Sequence, residues 1–283
     1  MGVASLKSKM DIIIDIDQVP VENQRIQAIK HHSFRETTCQ SCTLRSLCLP
    51  LSLTTKDLGK LDSIIARGRP FEKGEMLFRQ GESFGSLFAL RSGCVKTYSV
   101  TDNGEEQITG FYLPGELIGL SGIDTDIFPV NAIAIETTTV CEIPYPKFEG
   151  LTDEIPELKR QLIGSLSKTI RRDMQMMLLL SQKDAEARIA NFLLDLSTRI
   201  QRRGYSADFI YLAMSRNEIA NYLGLAVETV SRIFSRLQKS KAIDVNARAV
   251  EILDVDALTK AAGSCLFTEK SAPKENTPTS NTN

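Results

Sequence analysis

The chain reads as an α+β protein built from a β-rich domain, a long helix suited to pairing, and a C-terminal winged helix-turn-helix. Three observations predict this. Between Phe71 and Gly122, short apolar or alternating runs are broken by a glycine every few residues, which suits a compact barrel or sandwich. After Pro156, the residues Ile163, Leu166, Ile170, Asp173, Met177 and Leu180 recur at alternating spacings of three and four, a coiled-coil seam. From Ser215, two helical turns, the glycine Gly224 and a sharply two-faced helix follow one another.

The 283 residues leave room for two domains with linkers. Lys and Arg total 34 against 35 Asp and Glu, so any surface for nucleic acid must be local. No apolar run approaches a membrane span. Ile12-Ile13-Ile14 is hemmed in by Asp11 and Asp15, which a secretory signal does not tolerate. Met1-Gly2 resembles a myristoylation start, but Leu6 stands where Ser or Thr is needed. The expectation is a cytoplasmic protein with no membrane partner and reduced thiols, whose six cysteines read as metal ligands sooner than disulfides.

Taken in order, residues 1–50 form an N-terminal segment that carries Cys39, Cys42 and Cys48 in a Cys-x2-Cys-x5-Cys pattern. Soft thiolates so spaced select zinc, copper(I) or iron–sulfur clusters. A fourth ligand must come from elsewhere, and spacing alone does not separate Cys141 from Cys94 or Cys265. His31 and His32 read as solvated side chains sooner than ligands. Residues 51–150 are the β-rich domain, opened by a helix over 51–66 and closed by strands at Ala132–Ile135 and Thr138–Ile143. Within it, Asn103-Gly104 predicts a two-residue hairpin with both residues at positive φ.

Residues 151–182 are the pairing helix, started by Pro156 behind the acidic Asp153-Glu154. In a symmetric pair Asp173 faces its twin, and two half-dry carboxylates repel at a cost on the order of a few kcal/mol. Residues 183–266 are the DNA-binding domain, starting with a helix over Ala185–Arg203 that ends at Gly204. Ser215 and Glu218 form a capping box. The next helix, Ala226–Ser240, places Val227, Val230, Ile233, Phe234 and Leu237 on one face. Glu228, Ser231, Arg232, Ser235 and Lys239 share the opposite one. Arg matches guanine, Glu accepts from cytosine, and Ser serves either, so this stripe suits base edges. Arg216, Arg236, Lys239, Lys241 and Arg248 are placed for phosphates. Ile243–Ile252 reads as a wing, and residues 267–283 have the composition of a disordered tail.

Two rival readings use the same cysteines: a structural zinc regulator, and a thiol oxidoreductase built on Cys39-x2-Cys42. The oxidoreductase lacks the βαβ context and any nucleophile–base set, so no enzyme is expected. A sensor of a small effector in the β-rich domain is a third alternative.

The order of cysteine triad, β-domain, seam helix and helix-turn-helix resembles the FNR-type, oxygen-sensing branch of the CRP/FNR transcription regulators over about residues 35–265. The residues carrying the likeness are Cys39-x2-Cys42-x5-Cys48-Leu-Pro, Gln107-Ile-Thr-Gly-Phe, Val140-Cys141-Glu-Ile-Pro, Leu178-Leu-Leu-Ser, Asn221-Tyr-Leu-Gly-Leu and Val227-Glu228-Thr-Val-Ser231-Arg232. The resemblance implies a cyclic-nucleotide-binding-like β-roll sensor domain and a homodimer. It implies a [4Fe–4S] cluster held by Cys39, Cys42, Cys48 and Cys141. It also implies that Glu228, Ser231 and Arg232 read half-sites like TTGAT in palindromic double-stranded DNA. Asp173 matches the family's acidic seam residue, and Asp102-Asn103-Gly104 falls where relatives touch RNA polymerase. Gly115-Glu116-Leu117-Ile118-Gly119 resembles part of a cyclic-nucleotide phosphate cassette, but its Arg-Ser pair is replaced near Phe128-Pro129. Without that cation no cyclic nucleotide is expected to bind.

Overall fold

The structure, a computed structural model, describes residues 38–49 and 53–263. The leader with Met1-Gly2, His31 and His32, and residues 264–283 with Cys265, lie outside the described residues.

Helix α1 (Thr55–Ile64) starts where the Thr54 hydroxyl accepts the Asp57 N–H, and it buries Leu58 and Leu61. Strands β1 (Met76–Phe78), β2 (Ser86–Ser92), β3 (Val95–Val100), β4 (Glu106–Tyr112), β5 (Leu117–Ile118), β6 (Asn131–Ala134) and β7 (Thr139–Pro144) then make two antiparallel sheets. Their orders are β1-β6-β3-β4 and β5-β2-β7. The register of β2 on β7 sets Cys141 opposite Ala89. Leu87, Val95, Ala132 and Phe148 are sealed inside.

The β3–β4 turn departs from expectation. Gly104 takes a positive φ of 79°, but Asn103 does not. Thr101 and Glu105 close the loop: the Thr101 N–H donates to the Glu105 carbonyl at 3.0 Å, and the Gly104 N–H donates to the Thr101 carbonyl at 2.8 Å. This is a three-residue loop with one left-handed glycine, which needs only one residue free of the Cβ penalty.

Helix α2 (Tyr145–Glu154) was not predicted: Pro146 lies in its first turn, and Asp153-Glu154 end it as well as precede Pro156. Helix α3 (Pro156–Gln182) follows directly. Helix α4 (Ala185–Gln201) is capped by the Asp184 carboxylate on the Ala187 N–H. Then come β8 (Phe209–Tyr211), α5 (Arg216–Leu223), α6 (Val227–Lys239), β9 (Ile243–Asn246), β10 (Ala249–Ile252) and α7 (Val255–Ala262). The wing is a three-stranded sheet, β8-β10-β9, of which β8 and the closing α7 went unread in the sequence. Both are too short to show a period.

The β-rich part and the C-terminal part share a core. Ile108, Phe111 and Ile135 pack with Leu179, Phe192, Leu193 and Tyr222. The Phe111 ring meets Tyr222 at 5.1 Å and Phe192 at 6.4 Å, edge to face.

Candidate metal centre and nucleic-acid interface

The cysteine segment is a run of turns, closed by Arg45 N–H on the Cys42 carbonyl (3.2 Å) and Cys48 N–H on the Leu44 carbonyl (3.1 Å). Leu47 packs on Gly115, whose φ is +90° and where an added Cβ would lie 2.9 Å from the Leu47 Cβ. Cys39 is anchored through its N–H to Asp62 Oδ1 at 2.7 Å. Cys39 and Cys141 are buried in one apolar cluster against which Cys48 packs. Cys141 feels the charge of Cys42 and acts in turn on Cys39 and Cys48. The four thiols are thus neighbours, drawn from residues some hundred positions apart in part because the chain just after α1 pairs with β7 at the Ala66–Glu142 bridge. Cys94 lies in the other core, with Ile108 and Phe111.

Burial pushes the thiol pKa values of Cys39 and Cys141 up, and that of Cys48 to about 12. Metal binding at this site must therefore displace protons. The donor set fits a thiolate-ligated iron–sulfur group. Among the described residues no three Cys, His, Asp or Glu side chains converge tightly enough for one ion. Asp62 and Arg67 were missed by the sequence reading. They pair at 2.5 Å beside the thiols, and nothing in their spacing signals it.

On α6 the polar stripe is out in solvent: Glu228, Ser231, Arg232, Ser235 and Lys239 are exposed, while Val230, Ile233, Phe234 and Leu237 are buried. Helix α5 starts with the expected capping box, and Gly224 turns the chain at φ 61°. The Arg216 guanidinium stacks on the Phe234 ring at 3.6 Å, which holds it against the helix rather than free. Arg236 pairs with Glu186 at 2.6 Å, and Arg248 donates to the Ala213 carbonyl at 3.2 Å. Lys239 and Lys241 are exposed beside them.

Helix α5 docks on the edge of the sensor sheet. The Asn221 amide accepts from Ile108 N–H and donates to the Glu106 carbonyl, both at 2.7 Å, as a neighbouring strand would. Glu218 adds an ion pair to Lys96 at 3.1 Å. Behind this contact Glu116 is clasped by Arg199 (2.9 and 2.7 Å) and Arg203 (2.8 Å), with Arg172 at 3.9 Å. Phe128 stacks on Phe78 at 3.8 Å. The seam of α3 presents Ile163, Ile170 and Met177 at 58–66% exposure, with Asp173 among them and Leu166 and Leu180 half-buried.

No helix among the described residues is long and apolar enough to cross a membrane. A cyclic nucleotide-binding domain family matches residues 68–154, and a Crp-like helix-turn-helix domain family matches residues 187–261. The chain is 56% identical to the transcriptional activator protein anr of Pseudomonas aeruginosa, over 84% of this chain and 97% of that one. It is 44% identical to the fumarate and nitrate reduction regulatory protein of Escherichia coli, over 80% and 90%. The solved structure of FixK2 from Bradyrhizobium japonicum superposes with a TM-score of 0.64 at 28% identity, over 70% of this chain and 97% of that one. With both domains in this order and relatives spanning most of its length, the chain belongs to the CRP/FNR family, as a DNA-binding transcription regulator and not an enzyme.

Proposed function

We propose that this chain is a cytoplasmic, oxygen-responsive regulator in which Cys39, Cys42, Cys48 and Cys141 hold a [4Fe–4S] cluster that favours a DNA-binding homodimer. The carrying observation is the gathering of four thiols from two distant segments into one neighbourhood. Iron and acid-labile sulfide separate this reading from a single structural zinc on the same thiols. When bound, the cluster supplies an oxygen-labile inorganic core. The rest falls to the protein. The thiols give up protons, and the cysteine segment is held against α1 and β7. That same apolar cluster takes in Leu158, Leu162 and Leu166 of α3, so the packing of the segment bears on the start of the seam.

Pairing covers the exposed Ile163, Ile170 and Met177, and it brings Asp173 towards its twin. Burial already raises the Asp173 pKa, against the pull of Arg172. Asp173→Ala is therefore expected to pair in air, without iron, as read by sedimentation. A variant that stays monomeric there would end the repulsion account.

In the pair, two α6 helices enter successive major grooves of a palindrome with TTGAT-like half-sites, about one helical turn apart. Glu228, Ser231 and Arg232 read bases. Arg216, Ser235 and Lys239 support them. Arg232→Ala should cost about 1–3 kcal/mol on the specific site and relax preference at one position. Equal losses on specific and random DNA would make Arg232 a phosphate contact only. The Asp102–Gly104 loop is assigned to RNA polymerase. Cyclic nucleotide is not the effector: the Phe78–Phe128 stack and the engagement of Glu116 by arginines support this.

The deciding experiment purifies the protein without air and measures iron, acid-labile sulfide and mass together. Iron and sulfide in a dimer, lost with dimerisation on exposure to air, are expected. A colourless, iron-free dimer that grips its operator would remove the sensing role.

A further inference from the structure

Arg67 sits where the two halves of the cysteine site meet. Its neighbour Ala66 exchanges both backbone hydrogen bonds with Glu142, at 2.8 and 2.9 Å. In that antiparallel bridge Arg67 follows Ala66 while Cys141 precedes Glu142, so Arg67 lies alongside Cys141. Its Nη2 reaches Asp62 Oδ1 at 2.5 Å and stands 3.8 Å from Cys39 Sγ. The same Asp62 oxygen takes the Cys39 N–H. One carboxylate oxygen therefore ties the Cys39 backbone to a guanidinium fixed by the Cys141 strand. A further feature concerns the remaining guanidinium nitrogen. Arg67 Nε is the one buried side-chain nitrogen or oxygen among the described residues that lacks a hydrogen-bond partner. A buried donor left open costs free energy unless something accepts from it.

We propose that Arg67, oriented by Asp62, is the positioning residue of the four-sulfur centre: it fastens Cys39 to the Cys141 strand and offers a cation and N–H groups to the sulfur ligands. The inference rests on the [4Fe–4S] reading for the second half of that role. Four thiolates gathered in an apolar pocket carry more negative charge than the pocket can solvate. A guanidinium in hydrogen-bond reach offsets it, and N–H donors to sulfur tune a cluster's potential. Lysine would keep the charge but lose the planar fork that spans Asp62 and Cys39 together.

The test uses the full chain with Arg67→Met, Arg67→Lys and Asp62→Asn. In iron-free protein, hydrogen exchange at the Cys39 amide reports the fastening. It is expected to quicken in Arg67→Met and Asp62→Asn, with exchange in β2 and β7 unchanged. After anaerobic addition of ferrous iron and sulfide, the midpoint potential is expected to fall in Arg67→Met and to return towards wild type in Arg67→Lys. Wild-type Cys39 exchange in Arg67→Met would overturn the fastening role. An unchanged potential in Arg67→Met would overturn the charge role. If the wild-type chain took up no iron and sulfide, the cluster reading would fail and the charge role with it. The exchange measurement would still decide the fastening role by itself.

Discussion

Glu116→Gln is expected to lower the stability of the protein by about 3–5 kcal/mol, because removing one partner of a buried ionic network strands the others. Glu116 is the hub on which Arg199, Arg203 and Arg172 converge, and Asp195 is the other acid, at 3.1 Å from Arg199. Neutralising Glu116 leaves three guanidinium groups facing one carboxylate. All three also hold backbone: Arg199 and Arg172 donate to the Phe111 carbonyl at 2.7 and 3.2 Å, and Arg203 to the Pro114 carbonyl at 2.5 Å. Urea unfolding measures the loss, and a change under about 1 kcal/mol would mean the network is dispensable. Acid gives a second readout. Burial pushes the Glu116 carboxyl up, but Arg199, Arg172 and Arg203 outweigh that and hold it at about 2 rather than 4.5. The folded value is the lower one, so this contribution is complete above about pH 4.5 and is lost as pH falls towards 2. The variant should lack that part of the acid-side slope.

Cys141→Ser is expected to abolish iron and sulfide uptake, and with it dimerisation in the absence of air. Serine keeps the size of the side chain but replaces a soft ligand with a hard one. Cys94→Ser is the matched control, since Cys94 lies in the other core. A Cys141→Ser protein that still bound a full complement of iron would move the fourth ligand elsewhere. Uptake lost equally in both variants would indicate damage to the fold rather than to a ligand set.

Much of this architecture was legible because it is local. Ser215 and Glu218 are three residues apart, so their reciprocal cap shows in the sequence, as does the buried face of α6. The exposed stripe on α3 follows from spacing in the same way. The Asn103-Gly104 signal was right about a hairpin and wrong about its loop, because the pair of residues does not set loop length. Cys39, Cys42 and Cys48 advertise a soft-metal site, but only the resemblance singled out Cys141. What stayed hidden joins residues far apart. Glu116 and Arg199 are 83 positions apart, and Asn221 meets Glu106 across 115. Asp62 and Arg67 are close in sequence, yet their purpose depends on a bridge to Glu142 that no periodicity encodes.

The rings of Phe111, Phe192 and Tyr222 have a consequence for handling the molecule. Aromatic side chains shared between the sensor sheet and the DNA-reading part couple the melting of the two halves, so calorimetry is expected to show overlapping rather than well-separated transitions. A fragment cut after Gln182 would lose the Phe111 ring from beside Phe192 and Tyr222, and its grip on an operator would be a poor guide to that of the intact chain.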